Sequence, residues 1–319
     1  MKFPRIQIRN ALFCLTITVV MMLLNTDAHA QTPTDDIMMP SGQVCAAVMY
    51  SHASWDQYWQ GTTKLTNGNV GTLTTQSVSP MAAIGIFNWL NAYVGINYIS
   101  AQPSAGTLAG TYGWQDAGIW LKYEPLNRSF GPGSIHGEAV FGFTGPVGNY
   151  APEYPYSLGL GCTNTSLGGI LEYEHESGAY VRGEAAYNER GTTTISEDYY
   201  YTTQQYYSNQ VAIPEAVNYT ATAGYRIPSG EWYAEGFFSG QHTNGGFDIR
   251  QWQAPFPSNQ MDFTLVGADA HYYPPMLKGF GTLGIIVEGS YVLTGRNVGQ
   301  TTNLAAGLTY QFNVWGHRD

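Results

Sequence analysis

Between Asn91 and Ile99, Ala92, Val94, Ile96 and Tyr98 alternate with Asn91, Tyr93, Gly95 and Asn97. That is the period of two of a β-strand with one apolar and one polar or small face. The next segment sets Ala117, Ile119, Leu121 and Tyr123 against Asp116, Gly118, Trp120 and Lys122. The division recurs with outward Ile135, Ala139, Phe141 and Phe143, with Leu167, Leu171 and Tyr173, and with Val181, Ala185 and Tyr187. It continues through Val217 to Tyr225, Trp232 to Phe238, Val266 to Tyr272, Leu283 to Tyr291, and Leu304 to Phe312. A first strand over 44–52 and a poorly patterned second one between Gly71 and Phe87 bring the prediction to about twelve strands, an even count that returns both ends to one side.

The ends of these segments carry aromatic residues. Odd strands end outward near Tyr50, Tyr98, Phe143, Tyr187, Phe238 and Tyr291, and even strands near Tyr123, Tyr173, Tyr225, Tyr272 and Tyr310. Two such rings flanking a short band of Ala, Val, Ile, Leu and Gly are the signature of a transmembrane barrel at its two interfaces. Connections alternate as well. Compact links such as 174–178, 227–230 and 274–279 follow even strands, and longer ones follow odd strands, notably 191–215 with its Tyr199-Tyr200-Tyr201 run and 243–260 with Trp252 and Phe256. Short turns belong to the periplasmic side and long loops to the outside. The predicted fold is an all-β, transmembrane, antiparallel up-and-down barrel. A soluble sandwich would instead cover its second face with charge.

Composition supports this. Charged residues are 11% of the 319, while Gly (38) and Tyr (24) are abundant. Residues 1–30 read as a signal peptide, with Lys2, Arg5 and Arg9, an apolar run from Ala11 to Leu24, and Ala28-His29-Ala30 as the cleavage site. Residues 31–42 follow as a short periplasmic N-terminal segment, and 43–319 form the barrel. No stretch suits a membrane-spanning helix. Losing Lys2, Arg5, Arg9 and Asp27 with the leader leaves ten basic against 22 acidic residues, a formal −12 that argues against a nucleic-acid partner. Of the cysteines left, Cys45 falls near the foot of one strand and Cys162 high on a distant one, a placement that weighs against a bridge.

Backbone edges cannot face lipid, so the first strand must close on the last. The polar face then lines a lumen with Asp116, Lys122, His136, Glu138, Glu172, Arg182, Glu184, Arg226, Glu235, Asp269, His271 and Glu288. These residues either pair to stiffen the barrel or line a solute path, and a twelve-stranded bore dictates neither. His52, His136, His175, His242 and His271 lie on different segments without ligand spacing, so neither a metal nor another cofactor is expected.

Three patches, Gly113-Trp114-Gln115-Asp116 leading to Lys122-Tyr123, Gly230-Glu231-Trp232-Tyr233 with Glu235-Gly236, and Gly307-Leu308-Thr309-Tyr310-Gln311-Phe312, resemble the phenol-degradation meta-pathway family of outer-membrane transporters. That family is distantly similar to the long-chain fatty-acid channel. The resemblance implies passive uptake of small hydrophobic or aromatic solutes through a monomer in lipid and lipopolysaccharide, inserted by the barrel-assembly machinery. Two features depart from it: residues 31–42 are short for a large N-terminal hatch, and the chain runs past Phe312 to Asp319. Two alternatives stand beside the transporter. One is a plugged structural or adhesive surface barrel, suggested by the Tyr-rich loop. The other is a lipid-modifying enzyme in the barrel wall, for which neither Gly-x-Ser-x-Gly nor His-Glu-x-x-His is present.

Overall fold

The computed structural model describes residues 32–274 and 281–315. The expected signal peptide, part of the 274–279 turn and the tail beyond Trp315 lie outside the described residues. Twelve antiparallel strands close into a barrel: β1 (Gln43–Trp55), β2 (Leu73–Phe87), β3 (Leu90–Pro103), β4 (Thr111–Phe130), β5 (Gly133–Pro146), β6 (Asn164–His175), β7 (Ala179–Arg190), β8 (Ala216–Arg226), β9 (Trp232–Thr243), β10 (Asp262–Tyr272), β11 (Thr282–Arg296) and β12 (Thr302–Asn313). Each strand pairs with its sequence neighbours, and β12 pairs with β1 from Gln43 opposite Asn313 to Ser54 opposite Thr302. The strand count and the up-and-down order are those expected from the sequence. A strand spacing near 4.8 Å and a tilt near 40° give a backbone radius of roughly 12 Å.

The outward face is the apolar one. Val94, Ile119, Leu167, Val181, Val287 and Leu304 are exposed on it, as are ten of the eleven predicted interface aromatics; Tyr173 is half-buried. Strand β2 resisted patterning because Pro80 lies in its middle. Proline donates no ladder hydrogen bond, and pairing with β3 lapses between Val78 and Met81.

Long connections emerge at one end of the barrel, and two of them carry small hairpins: Gln57–Gln60 with Thr63–Thr66 between β1 and β2, and, between β7 and β8, Thr192–Thr194 with Gln210–Ala212 and Tyr200–Tyr201 with Gln205–Tyr206. Short turns occupy the other end. Cys45 and Cys162 are both buried.

The interior is packed in part by flat aromatic rings on glycine. A Cβ at Gly118 would lie 2.2 Å from the Trp120 ring and one at Gly142 2.4 Å from it. The glycines of the polar face thus make room for lumen aromatics, Trp120 and likewise Tyr180 over Gly224.

Candidate functional site

None of the twelve residues expected in the lumen is exposed. They do not form one cluster. Asp116 sits toward the loop end, where it accepts a 2.6 Å hydrogen bond from Tyr150. Burial and this acidic neighbour hold the Tyr150 hydroxyl above its ordinary pKa. Glu184 faces Thr220 across the β7–β8 ladder. Asp269 and His271 are 3.1 Å apart on β10, with Glu288 directly across from Asp269. The remaining residues gather toward the short-turn end.

That gathering has a centre that sequence reading missed. Residues 32–42, expected as a short periplasmic segment, enter the lumen at the short-turn end. Their reach, about 3.3 Å per residue, exceeds the roughly 24 Å bore implied by the strand count. Asp35 meets Lys122, whose fully buried ammonium lies 2.7 Å from Asp35 Oδ1. The same ammonium donates to the Asp35 and Thr32 carbonyls at 2.8 and 3.1 Å. Asp36 reaches β7 and β8, 2.6 Å from Arg226 and 3.5 Å from Arg182.

Arg226 also binds Glu172 and Glu174, each at 2.7 Å, and Arg182 binds Glu235 at 2.7 Å. Tyr180 donates to Glu235 and lies 4.0 Å beneath the Arg226 guanidinium. Burial alone would raise the Asp36 carboxyl, but Arg226 and Arg182 outweigh it and hold its pKa below the ordinary value.

Apolar contacts complete the docking. Met39 is fully buried against Cys45, Ala83, Tyr93 and Trp120, and Ile37 packs on Tyr233, Tyr273 and Ile286. With its amide oriented to match its neighbours, buried Asn91 accepts from Met39 N–H at 2.8 Å. At Gly85 a Cβ would fall 2.2 Å from the Pro40 carbonyl oxygen, so only glycine lets the segment pass there.

Two cavities flank this layer. One of about 1050 Å³ opens at the short-turn end, lined by Asp36, Glu124, Ser134, His136, Glu174 and Arg226 among others. The other, of about 910 Å³, lies under the loops and is largely apolar, with Trp55, Leu73, Ile99, Tyr156, Leu158 and Phe256. They share no lining residue. Along β4, Asp116 belongs to the upper cavity and Glu124 to the lower; Gly118, Trp120 and Lys122 separate them over roughly 27 Å of strand.

Loop chemistry closes the upper cavity. The buried Asn297 side chain accepts from Gly61 and Ile249 N–H at 2.8 and 3.0 Å and donates to the Gln260 carbonyl at 2.7 Å, joining three loops. Arg296 grips Asp248 through two bonds of 2.7 and 3.0 Å, which hold that carboxyl below its ordinary pKa. The Tyr-rich loop, by contrast, contributes nothing to the cavity. Its Tyr200 and Tyr206 rings stack at 5.0 Å, and Tyr207 stands free in solvent.

An outer-membrane channel from Pseudomonas putida F1 superposes with a TM-score of 0.70 at 14% identity, covering 89% of this chain and all of that one. The fold is that of an outer-membrane barrel. The transport unit of the autotransporter AIDA-I from Escherichia coli (TM-score 0.46, 10% identity, 96% and 98% covered) and the translocator domain of NalP from Neisseria meningitidis (0.45, 10%, 96% of each) superpose less well. No protein-family model and no curated protein matches the sequence. The resemblance to the phenol-degradation meta-pathway family therefore gains no support from those searches.

Proposed function

We propose that this chain is an outer-membrane channel for passive entry of small hydrophobic or aromatic solutes. The observation that carries the reading is the 910 Å³ apolar cavity held beneath the loops, with Trp55, Ile99, Tyr156 and Leu158 on its walls. Its size falls within the range of small-molecule sites, and apolar lining favours apolar solutes. The P. putida barrel is an outer-membrane channel, and both it and the sequence resemblance to phenol-pathway transporters favour this reading. In it, solute gathers in the cavity and crosses only when residues 32–40 leave the lumen, exposing Lys122, Arg182, Glu172 and Arg226 as path-lining groups.

The test is uptake by liposomes carrying the mature chain, with an aromatic solute and a sugar of similar size compared. The expected result is faster aromatic uptake, lost in Leu158→Asp and raised for both solutes by deleting residues 32–40. Equal permeability to both in all three proteins would reject it. The adhesive reading rests on the exposed Tyr199–Tyr207 hairpin, and deleting that hairpin would abolish surface binding without changing uptake if it were correct.

A further inference from the structure

We infer that Glu124, His136 and Glu138 form a binding site for a divalent transition cation, Zn²⁺ being the representative ion. The site is independent of the channel reading.

One ligand atom from each of the three side chains lies within 4.8 Å of the other two. They are assembled by strand geometry. His136 and Glu138 are two residues apart on β5 and so share its inward face. Across the ladder, pairing shifts between Tyr123 and Leu126, so Glu124 and Pro125 together oppose Glu138. A bulge of this kind re-aims a side chain, and here it brings Glu124 to His136 at 3.1 Å.

The observation that calls for a ligand is Glu138. It is 4% exposed, and neither of its carboxylate oxygens has a hydrogen-bond partner. A buried carboxylate without a partner is costly. No lysine or arginine pairs with Glu124 or Glu138 among the described residues. The nearby cations Lys122, Arg182 and Arg226 are already taken by Asp35, Asp36, Glu172 and Glu235.

The outer contacts have the form expected around a metal. His136 Nδ1 faces the carboxylates, while Nε2 meets Ser134 Oγ at 2.9 Å, leaving Nε2–H to donate and Nδ1 to ligate. Asn127 Nδ2 donates to Glu124 Oε1 at 3.1 Å and orients it. Tetrahedral zinc places its ligands roughly 3.3 Å apart; the Glu124–His136 pair is already near that spacing, and only Glu138 needs to close by up to about 1.5 Å. One imidazole with two carboxylates suits Zn²⁺ or Mn²⁺ better than Ca²⁺, which takes six or more oxygens. Glu124, Ser134 and His136 line the cavity that opens at the short-turn end, so an ion has a way in.

Ser134, His136 and Glu124 also have the order of a hydrolase triad. Strand β5, however, is paired on both sides at Ser134, with Ser129 and with Glu174, so its backbone groups are committed to ladders rather than to an oxyanion.

The experiment is calorimetric titration of Zn²⁺ into chelator-stripped, untagged mature barrel in detergent, with cobalt absorption as a second readout. The expected result is one ion per chain and a tetrahedral cobalt spectrum. Affinity should fall tenfold or more in Glu138→Gln and in His136→Gln, fall less in Ser134→Ala, and stay unchanged in His242→Ala. If Glu138→Gln fails to show the folded gel mobility of the barrel, Glu124→Gln takes its place. Absence of saturable binding in the wild type, or undiminished affinity in the folded ligand variants, overturns the assignment.

Discussion

Asp36→Asn should release the N-terminal segment from the lumen by a measurable amount. In the docked state the Asp36 carboxylate touches Arg226 at 2.6 Å and Arg182 at 3.5 Å with almost no solvent around it. Removing one partner of a buried ion pair costs about 3–5 kcal/mol. Here the lower figure applies, because Arg226 keeps Glu172 and Glu174 and Arg182 keeps Glu235. Since about 1.4 kcal/mol is a factor of ten, about 3 kcal/mol shifts the docked-to-released equilibrium by roughly 100-fold.

The native reporter is Cys45, buried beneath Met39. With Cys162→Ser as background, the rate at which a small methanethiosulfonate modifies Cys45 measures the released fraction. Asp36→Asn should raise that rate roughly 100-fold, toward the ceiling set by deleting residues 32–40. A deletion that accelerates modification while Asp36→Asn leaves it unchanged would show that the ion pairs do not hold the segment. A deletion without effect would show that the segment is not what covers Cys45.

The same carboxylate sets a pH dependence. Its pKa is lower docked than released, so its contribution is fully present above the ordinary carboxylate value of about 4 and is lost as pH falls through the docked value. Channel opening in planar bilayers should therefore increase on acidification below about pH 4, and Asp36→Asn should flatten that response.

Three further outcomes are expected. Asn297→Ala removes three bonds to two neighbouring loops, each bond worth about 1 kcal/mol, and should speed proteolytic nicking within 244–261 without lowering barrel stability. Gly142→Val drives a side chain into Trp120 and Ser166, and should destabilise the barrel by about 1–3 kcal/mol, read as a lower midpoint in heat-modifiable gel mobility. Val94→Arg places a charge on the outward face near mid-strand and should cost about 2–4 kcal/mol, measured by vesicle insertion and urea unfolding.

What was legible in the sequence is what a period of two can encode. Alternation along one strand assigns each residue to a face, and it assigns Lys122, Glu172, Arg182 and Arg226 to the inward one. Strand β2 lacked that signal because Pro80 interrupts its ladder. Residues 32–42 were illegible for a different reason: they follow no period, and their place depends on a match between Asp35-Asp36 and three lumen cations on β4, β7 and β8. One cue was available. Two adjacent acids stand seven residues before the first strand, in a chain with only ten basic residues after position 30, three of which, Lys122, Arg182 and Arg226, alternation assigns to the inward face.

Cross-strand neighbours form the deeper boundary. Face assignment leaves register free, and register decides whether Asp269 meets Glu288 or a base. A bulge breaks even the face rule, because it inserts a residue that alternation does not count. Glu124 is such a case. The segment around it reads as the end of a strand ending in Lys122-Tyr123, yet the strand runs on to Phe130 through the Glu124–Pro125 irregularity. Proline at 125 cannot donate to the ladder, and the resulting slip turns Glu124 toward His136 and Glu138. The histidine spacings excluded a metal site because they compare residues along the chain, whereas these three ligands are adjacent only across a bulged pair of strands.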